Sequence, residues 1–174
     1  NPGERKGKDL YRARESWGVS PVFREDGRRR PLWLPQGLVI PWLDPADGSV
    51  LRVRIRRSGD LSFGPRYYVV PGSSSGTLML GPGSPAHVVV ESELDAFLVH
   101  QEAGQLVGAV AVGSSNTRPD ARALEVLKES RHVLVALDFD KAGAKGWLWW
   151  SQNVPEAARW PVPKGKDPGE AWEA

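Results

Sequence analysis

Val133-Leu134-Val135-Ala136-Leu137-Asp138-Phe139-Asp140-Lys141-Ala142-Gly143 is the stretch from which the fold reads most directly. Its first five residues are apolar without alternation, which predicts a strand buried on both faces. Two carboxylates follow where that strand must end, and a helix is expected from Asp140 to about Gln152. The same rhythm recurs upstream. His87-Val88-Val89-Val90 reads as a buried strand ending in Glu91. Glu93 to Ala103 reads as a helix with Leu94, Phe97, Leu98 and Gln101 on one stripe. Val107 to Val112 is a further buried strand. Gly113-Ser114-Ser115-Asn116 is either a plain loop or an anion-binding turn before the next helix. Thr117-x-x-Asp120 resembles a capping box opening a helix to about Ser130. Downstream, Ala157 to Pro161 is a short strand, and Pro168 suits the first turn of a last helix. This order implies an α/β fold with a mainly parallel sheet flanked by helices.

The residues before this region have another character. Leu38 to Trp42 reads as a strand, Asp44-Pro45-Ala46-Asp47-Gly48 as a hairpin turn, and Val50-Leu51-Arg52-Val53-Arg54-Ile55-Arg56 as a period-two strand with one apolar and one basic face. Arg66 to Val70 and Thr77 to Leu80 are further strands. Residues 1–32 are polar and basic and read as solvated loop. The expected division is a smaller β-rich lobe over 1–86 and a parallel α/β domain over 87–174. Charge follows it, with a net +6 in 1–86 and −4 in 87–174. A basic part beside an acidic one points to a polyanion partner.

Composition removes several classes. The 174 residues include no cysteine, so a disulfide scaffold, a Cys-ligated zinc site and a thiol nucleophile are excluded. No apolar run approaches the ~18 residues of a membrane span, and Asn1-Pro2-Gly3-Glu4-Arg5-Lys6 lacks the apolar region of a signal peptide. A cytoplasmic location is expected. The missing initiator Met predicts a segment of a longer protein.

In an open parallel sheet, ligands bind beyond the carboxyl ends of the strands. Glu91, Asp138 and Asp140 stand there. Asp95 follows Glu91 by one helical turn, and Asp167 follows the last strand. Each alone is explicable as a helix cap. Together they would repel unless a cation sits among them. Oxygen ligands without His or Cys select Mg²⁺ or Mn²⁺, which implies phosphoryl or nucleotidyl chemistry. His87, His100 and His132 have no ligand spacing and are read as structural. Arg52, Arg54 and Arg56 recur at about 6.6–6.8 Å along one strand face, suiting successive phosphates of a single strand or a merely solvated basic face. Tyr67, Tyr68 and Trp42 are candidates for base stacking or for core packing. Trp147, Trp149 and Trp150 crowd one helix, and at least two are expected against the sheet.

Glu91-Ser-Glu-Leu-Asp95-Ala, Asp138-Phe-Asp140-Lys-Ala-Gly143 and Gly165-Lys-Asp167-Pro-Gly-Glu170 together resemble the toprim domain. The order and spacing are most similar to the DnaG-type primase branch. The resemblance covers roughly 87–171. More weakly, Gly37 to Pro41, Leu51 to Arg56, and Arg66-Tyr67-Tyr68 with Pro71-Gly72 resemble the other lobe of the primase catalytic core. The resemblance implies an enzyme that makes short RNA primers on single-stranded DNA. A 3′-hydroxyl attacks the α-phosphate of a ribonucleoside triphosphate, and pyrophosphate leaves. It also implies Mg²⁺ or Mn²⁺ held by Glu91, Asp138 and Asp140, with Asp95 and Asp167 as outer members. Template and triphosphate would lie on Arg52, Arg54, Arg56, Arg66 and Tyr67. A replicative helicase is an implied partner through flanking domains.

Three positions depart from the family pattern. Ser92 replaces a glycine, Gly169 stands where a second acid is common, and Ser73-Ser-Ser-Gly76 replaces a loop with a further basic residue. The zinc-binding and helicase-binding domains of full primases find no counterpart in these residues. Two alternatives remain: a non-catalytic single-stranded nucleic-acid-binding module, and a toprim nuclease.

Overall fold

The computed structural model describes residues 8–44, 47–58 and 61–173. They fall into two compact units, Asn1–Ser75 and Gly76–Ala174.

The first unit is antiparallel. Strand β1 (Leu10–Arg12) pairs with β2 (Leu32–Leu34), and β3 (Gly37–Leu43), β4 (Val50–Arg57) and β5 (Tyr67–Val69) form a three-stranded sheet. Alternation along β4 sets its faces. Ile55 is buried with Leu32, Leu34 and Val70, and Val53 and Tyr68 pack against them. Arg52, Arg54 and Arg56 therefore project from the other face. The expected turn after β3 closes with Gly48 N–H donating to Asp44 O at 2.8 Å. Pro45 and Ala46 of that turn lie outside the described residues. Among the described residues up to position 32, the solvated-loop reading fails in part. Leu10–Arg12 is a strand and Glu15–Trp17 a turn of 3₁₀ helix. Leu32 is 1% exposed. Three-residue strands are too short to show a period, so the pattern hid them.

The second unit holds a five-stranded sheet in the order β10-β9-β7-β8-β6. These are β6 (Leu78–Leu80), β7 (Ala86–Val90), β8 (Gly108–Ala111), β9 (His132–Ala136) and β10 (Ala157–Arg159). All neighbours run parallel except β6, which pairs antiparallel with β8. Val89, Val110, Val133 and Val135 are at most 1% exposed, as the continuous apolar runs require. β6 thus joins this sheet by its hydrogen bonds, although it precedes residue 87.

Four helices flank the sheet: α1 (Glu93–Ala103), α2 (Ala121–Glu129), α3 (Lys141–Asn153) and α4 (Pro168–Trp172). Two expectations need correction. The inner stripe of α1 is Glu93, Ala96 and Val99, with Leu94, Phe97 and Leu98 only half-buried. Small Ala96 brings the helix close to the sheet, which the larger side chains would prevent. α2 begins at Asp120 and not at Thr117, because the Asp120 side chain accepts from Ala123 N–H at 2.9 Å and from Thr77 N–H at 2.7 Å. Trp150 is fully buried in the main core, with Trp147 and Trp149 packed on it. His87 is also buried and bonds Ser130 Oγ through Nδ1 at 2.9 Å.

Candidate functional site

Glu91 leaves the end of β7, the strand between β9 and β8. Its carboxylate bonds the loops on both sides. One oxygen accepts from Ser115 N–H at 3.0 Å, the other from Asp138 N–H at 3.1 Å. The Gly113–Asn116 loop thus directs its Ser115 amide to the protein's own carboxylate, which favours the plain-loop reading.

Asp140 caps α3, accepting from Gly143 N–H at 2.8 Å, and Asp167 caps α4, accepting from Glu170 N–H at 2.8 Å. Ser92 caps α1, accepting from Asp95 N–H at 3.1 Å while donating to Asp95 Oδ2 at 2.5 Å. The residue that departs from the family glycine therefore holds Asp95 in place. The other Asp95 oxygen accepts from Gly169 N–H at 3.2 Å. A Cβ on Gly169 would lie 3.1 Å from Asp95 Oδ1 and 3.3 Å from Asp167 Oδ1. A second acid at this position would crowd two carboxylates.

Two glycines let α3 approach this edge. A Cβ on Gly143 would fall 2.0 Å from the Asp138 carbonyl oxygen, and one on Gly146 would fall 2.5 Å from that of Ser115. Both distances are well inside van der Waals contact, so only glycine fits.

The acids feel one another. Burial pushes the Glu91 carboxyl above its ordinary pKa, and the charges of Asp138 and Asp140 push the same way. Burial also raises Asp95, with Asp167 adding to it. Asp138 is raised by burial and by Asp167, Asp140 and Asp95, against the opposing charge of Lys166. Lys166 is the residue that the sequence reading missed. Its Nζ lies 3.8 Å from Asp138, 4.0 Å from Asp167 and 3.9 Å from Glu170. The available signal was its place inside the Gly165-Lys-Asp167 motif, directly before an acid.

Among the described residues, no three acidic or histidine side chains converge closely enough to hold a metal ion in this arrangement. The chemistry of the donor set nevertheless fits a hard divalent cation. It is carboxylate oxygen alone, and its mutual repulsion is what such an ion relieves.

In the first unit, Arg52 Nε–H donates to Ser74 O at 2.7 Å, and its guanidinium lies 5.4 Å from the Trp42 ring. The Arg54 guanidinium lies 4.6 Å from the Tyr67 ring. Arg56 is half-buried on the same face, and Arg66 is exposed just before β5. Arg52, Arg54, Arg56, Trp42 and Tyr67 thus make one interleaved basic and aromatic surface. Tyr68 does not join it. It packs edge-on to Trp33 at 4.8 Å on the opposite face. Arg57 also points inward, donating to the carbonyls of Phe63 and Pro65.

Residues 88–172 match the family model described as Toprim-like. Solved structures with the same fold include the Aquifex aeolicus primase, comprising its zinc-binding and RNA polymerase domains. It is 25% identical with a TM-score of 0.61, over 88% of this chain and 40% of that one. A DnaG primase catalytic domain bound to ssDNA is 20% identical, with a TM-score of 0.60 over 85% of this chain and 51% of that one. The primase fragment of the bacteriophage T7 primase-helicase protein is 16% identical, with a TM-score of 0.55 over 99% of this chain and 77% of that one. The chain spans 40–51% of the length of the first three solved structures it matches. None of the curated proteins compared with the chain matches it in sequence. No helix of the described residues is long and apolar enough to cross a membrane. The acidic edge, the parallel sheet and these likenesses converge: residues 88–172 form a toprim-like domain, and the chain carries the fold of DnaG-type primase catalytic cores.

Proposed function

We propose that this chain is the nucleotidyltransferase core of a DnaG-like primase, making short RNA primers on single-stranded DNA from ribonucleoside triphosphates. The observation that supports the reading is the acidic edge, where Glu91 and the Asp138–Asp140 loop leave the carboxyl ends of adjacent parallel strands and Glu91 accepts from Asp138 N–H at 3.1 Å. Glu91, Asp138 and Asp140 would hold Mg²⁺ or Mn²⁺, or its waters, with Asp95 and Asp167 further out. When bound, such an ion supplies Lewis-acid stabilisation of phosphate oxygens.

The chain's own residues position the parts. Glu91 fixes the loops after β8 and β9, so the acids stay in register. Arg52, Arg54, Arg56 and Arg66 bind template or triphosphate, with Arg favoured for bidentate phosphate contact. Tyr67 adds a stacking surface beside Arg54. Positioning and electrostatics would then provide most of the acceleration. A replicative helicase, reached through flanking domains, belongs to the same reading.

The test is incubation with single-stranded DNA, labelled nucleoside triphosphates and Mg²⁺ or Mn²⁺. Short template-dependent products that vanish in Asp138→Ala and Asp140→Ala support it. A folded, DNA-binding protein that yields none under either metal counts against activity of this segment alone. Shortened DNA would indicate a nuclease. A second reading, a non-catalytic single-strand-binding module, draws on Lys166 standing 3.8 Å from Asp138 and on Gly169 in place of an acid. It predicts binding that is salt-sensitive and indifferent to metal.

A further inference from the structure

Phe139 sits between Asp138 and Asp140, yet it is 60% exposed. A single exposed aromatic residue is ordinary. This one is distinguished by where it is held and by what it touches. Its N–H donates to Lys166 O at 2.8 Å, and the next amide, Asp140 N–H, donates to Asp138 O at 2.8 Å. The backbone on both sides is thus pinned. Arg159, the last residue of β10 beside β9, places its guanidinium 5.4 Å from the Phe139 ring centroid. Both residues stand at the carboxyl edge of the sheet, where the acids are.

We propose that Phe139 and Arg159 form a stacking platform for the base of a nucleotide whose phosphates lie toward the acids. The inference rests on the nucleotidyl-transfer reading and adds a base subsite to it. The chemistry is specific to a planar, uncharged, aromatic group. The ring offers a π-face, and the guanidinium offers a second planar, cationic surface. Phosphates placed there would meet Asp138 and Asp140 directly, whereas a base separates its phosphates from the ring by a ribose. Every base has a π-face, so the platform tolerates any of them and binds without reading sequence.

Binding of 2-aminopurine riboside triphosphate with Mg²⁺ tests this, because stacking quenches its fluorescence and no turnover is needed. The wild type is expected to quench it. Phe139→Ala should weaken binding about five- to tenfold, the lower range for loss of one aromatic–base stack. Phe139→Trp should retain it, and Arg159→Gln should weaken it less than Phe139→Ala does. The dissociation constant of inorganic tripolyphosphate with Mg²⁺ should be the same in Phe139→Ala and wild type, since it lacks a base. The ring is exposed, so Phe139→Ala should melt at the wild-type temperature, which excludes misfolding as the cause. If Phe139→Ala binds the triphosphate as wild type does, the platform is overturned while the nucleotide reading stands. If the folded wild type binds neither the nucleotide nor tripolyphosphate with Mg²⁺, both are overturned.

Discussion

Glu91 accepts a hydrogen bond from the backbone N–H of Asp138 at 3.1 Å, while its other oxygen accepts from Ser115 N–H at 3.0 Å. One carboxylate at the end of β7 thereby joins the loops that follow its two neighbours in the sheet. Stability and proposed chemistry are separable at this residue. Glu91→Ala leaves two partly buried amides without their acceptor, which costs about 2–4 kcal/mol at 1–3 kcal/mol per orphaned group with partial rescue by water. Glu91→Gln removes the charge that burial and Asp138 disfavour and keeps one of the two acceptors, but turns an NH2 donor toward the other backbone amide. Urea unfolding should place Glu91→Gln between wild type and Glu91→Ala, because it orphans one amide where Ala orphans two. Primer synthesis should be lost in both.

Gly143 gives a sharper prediction. Gly→Ala inside a helix ordinarily stabilises by about 1 kcal/mol. Here the new Cβ would meet the Asp138 carbonyl oxygen at 2.0 Å, and neither backbone segment can yield without moving the acid loop. Gly143→Ala is therefore expected to destabilise by about 1–3 kcal/mol, the range for overpacking. A lowered urea midpoint at unchanged slope would bear this out. A stabilised variant would show that the loop shifts freely.

The contrast between these two residues explains what the sequence could convey. The strands β7, β8 and β9 were legible because burial on both faces writes continuous apolar runs such as Val88-Val89-Val90. Asp140 and Asp167 were legible as helix starts at strand ends. The close approach of α3 was not, because a glycine in a helix does not say which backbone it faces. The inner stripe of α1 misled for a related reason. Ala96 wins the buried position over Leu94 and Phe97 because the helix lies close to the sheet. Lys166 was passed over because its meeting with Asp138 depends on how two distant loops fold back together.

Metal dependence and pH should be coupled, with a fixed sign. Glu91, Asp95 and Asp138 all have pKa values raised by burial first and then by neighbouring carboxylates, Asp140 and Asp167 among them. A raised carboxyl favours the protonated folded state. Its ionisation penalty is absent below the unfolded-state pKa of about 4 and grows as pH rises through the folded value. A divalent cation relieves that penalty and needs the acids ionised. Added Mg²⁺ or Mn²⁺ should therefore raise Tm at pH 8 and have little effect at pH 4.5. Asp138→Asn should raise the metal-free Tm at pH 8, lose that gain near pH 4, and reduce the response to metal. Equal metal stabilisation at both pH values would place the ion elsewhere.

His87 makes an opposite contribution that the same titration can isolate. Burial holds its imidazole below the ordinary pKa, against the opposing pull of the nearby Gly81 backbone. A depressed histidine pKa means that the unfolded chain binds the proton first, so stability falls as pH drops below about 6.5. The wild type should lose stability from this source as pH falls below about 6.5, while the carboxylates push the other way. His87→Gln should flatten the loss. If it leaves the pH profile unchanged, the histidine does not titrate on unfolding.

Within β4, the arginines proposed to contact phosphate are separable from the one that holds the architecture. Arg52, Arg54 and Arg56 share the face that carries Trp42 and Tyr67, whereas Arg57 is buried and holds the Phe63 and Pro65 carbonyls. Each of Arg52→Gln, Arg54→Gln and Arg56→Gln should weaken single-stranded DNA binding. Each should also lower the slope of log K against log salt by about 0.7, as expected for one phosphate contact. The loss should be similar for any DNA sequence, because phosphate contacts carry no base readout. Arg57→Gln should instead lower stability and leave the salt slope unchanged at temperatures where the variant stays folded. A slope that responds to Arg57 and not to the other three would reverse the assignment of the two faces.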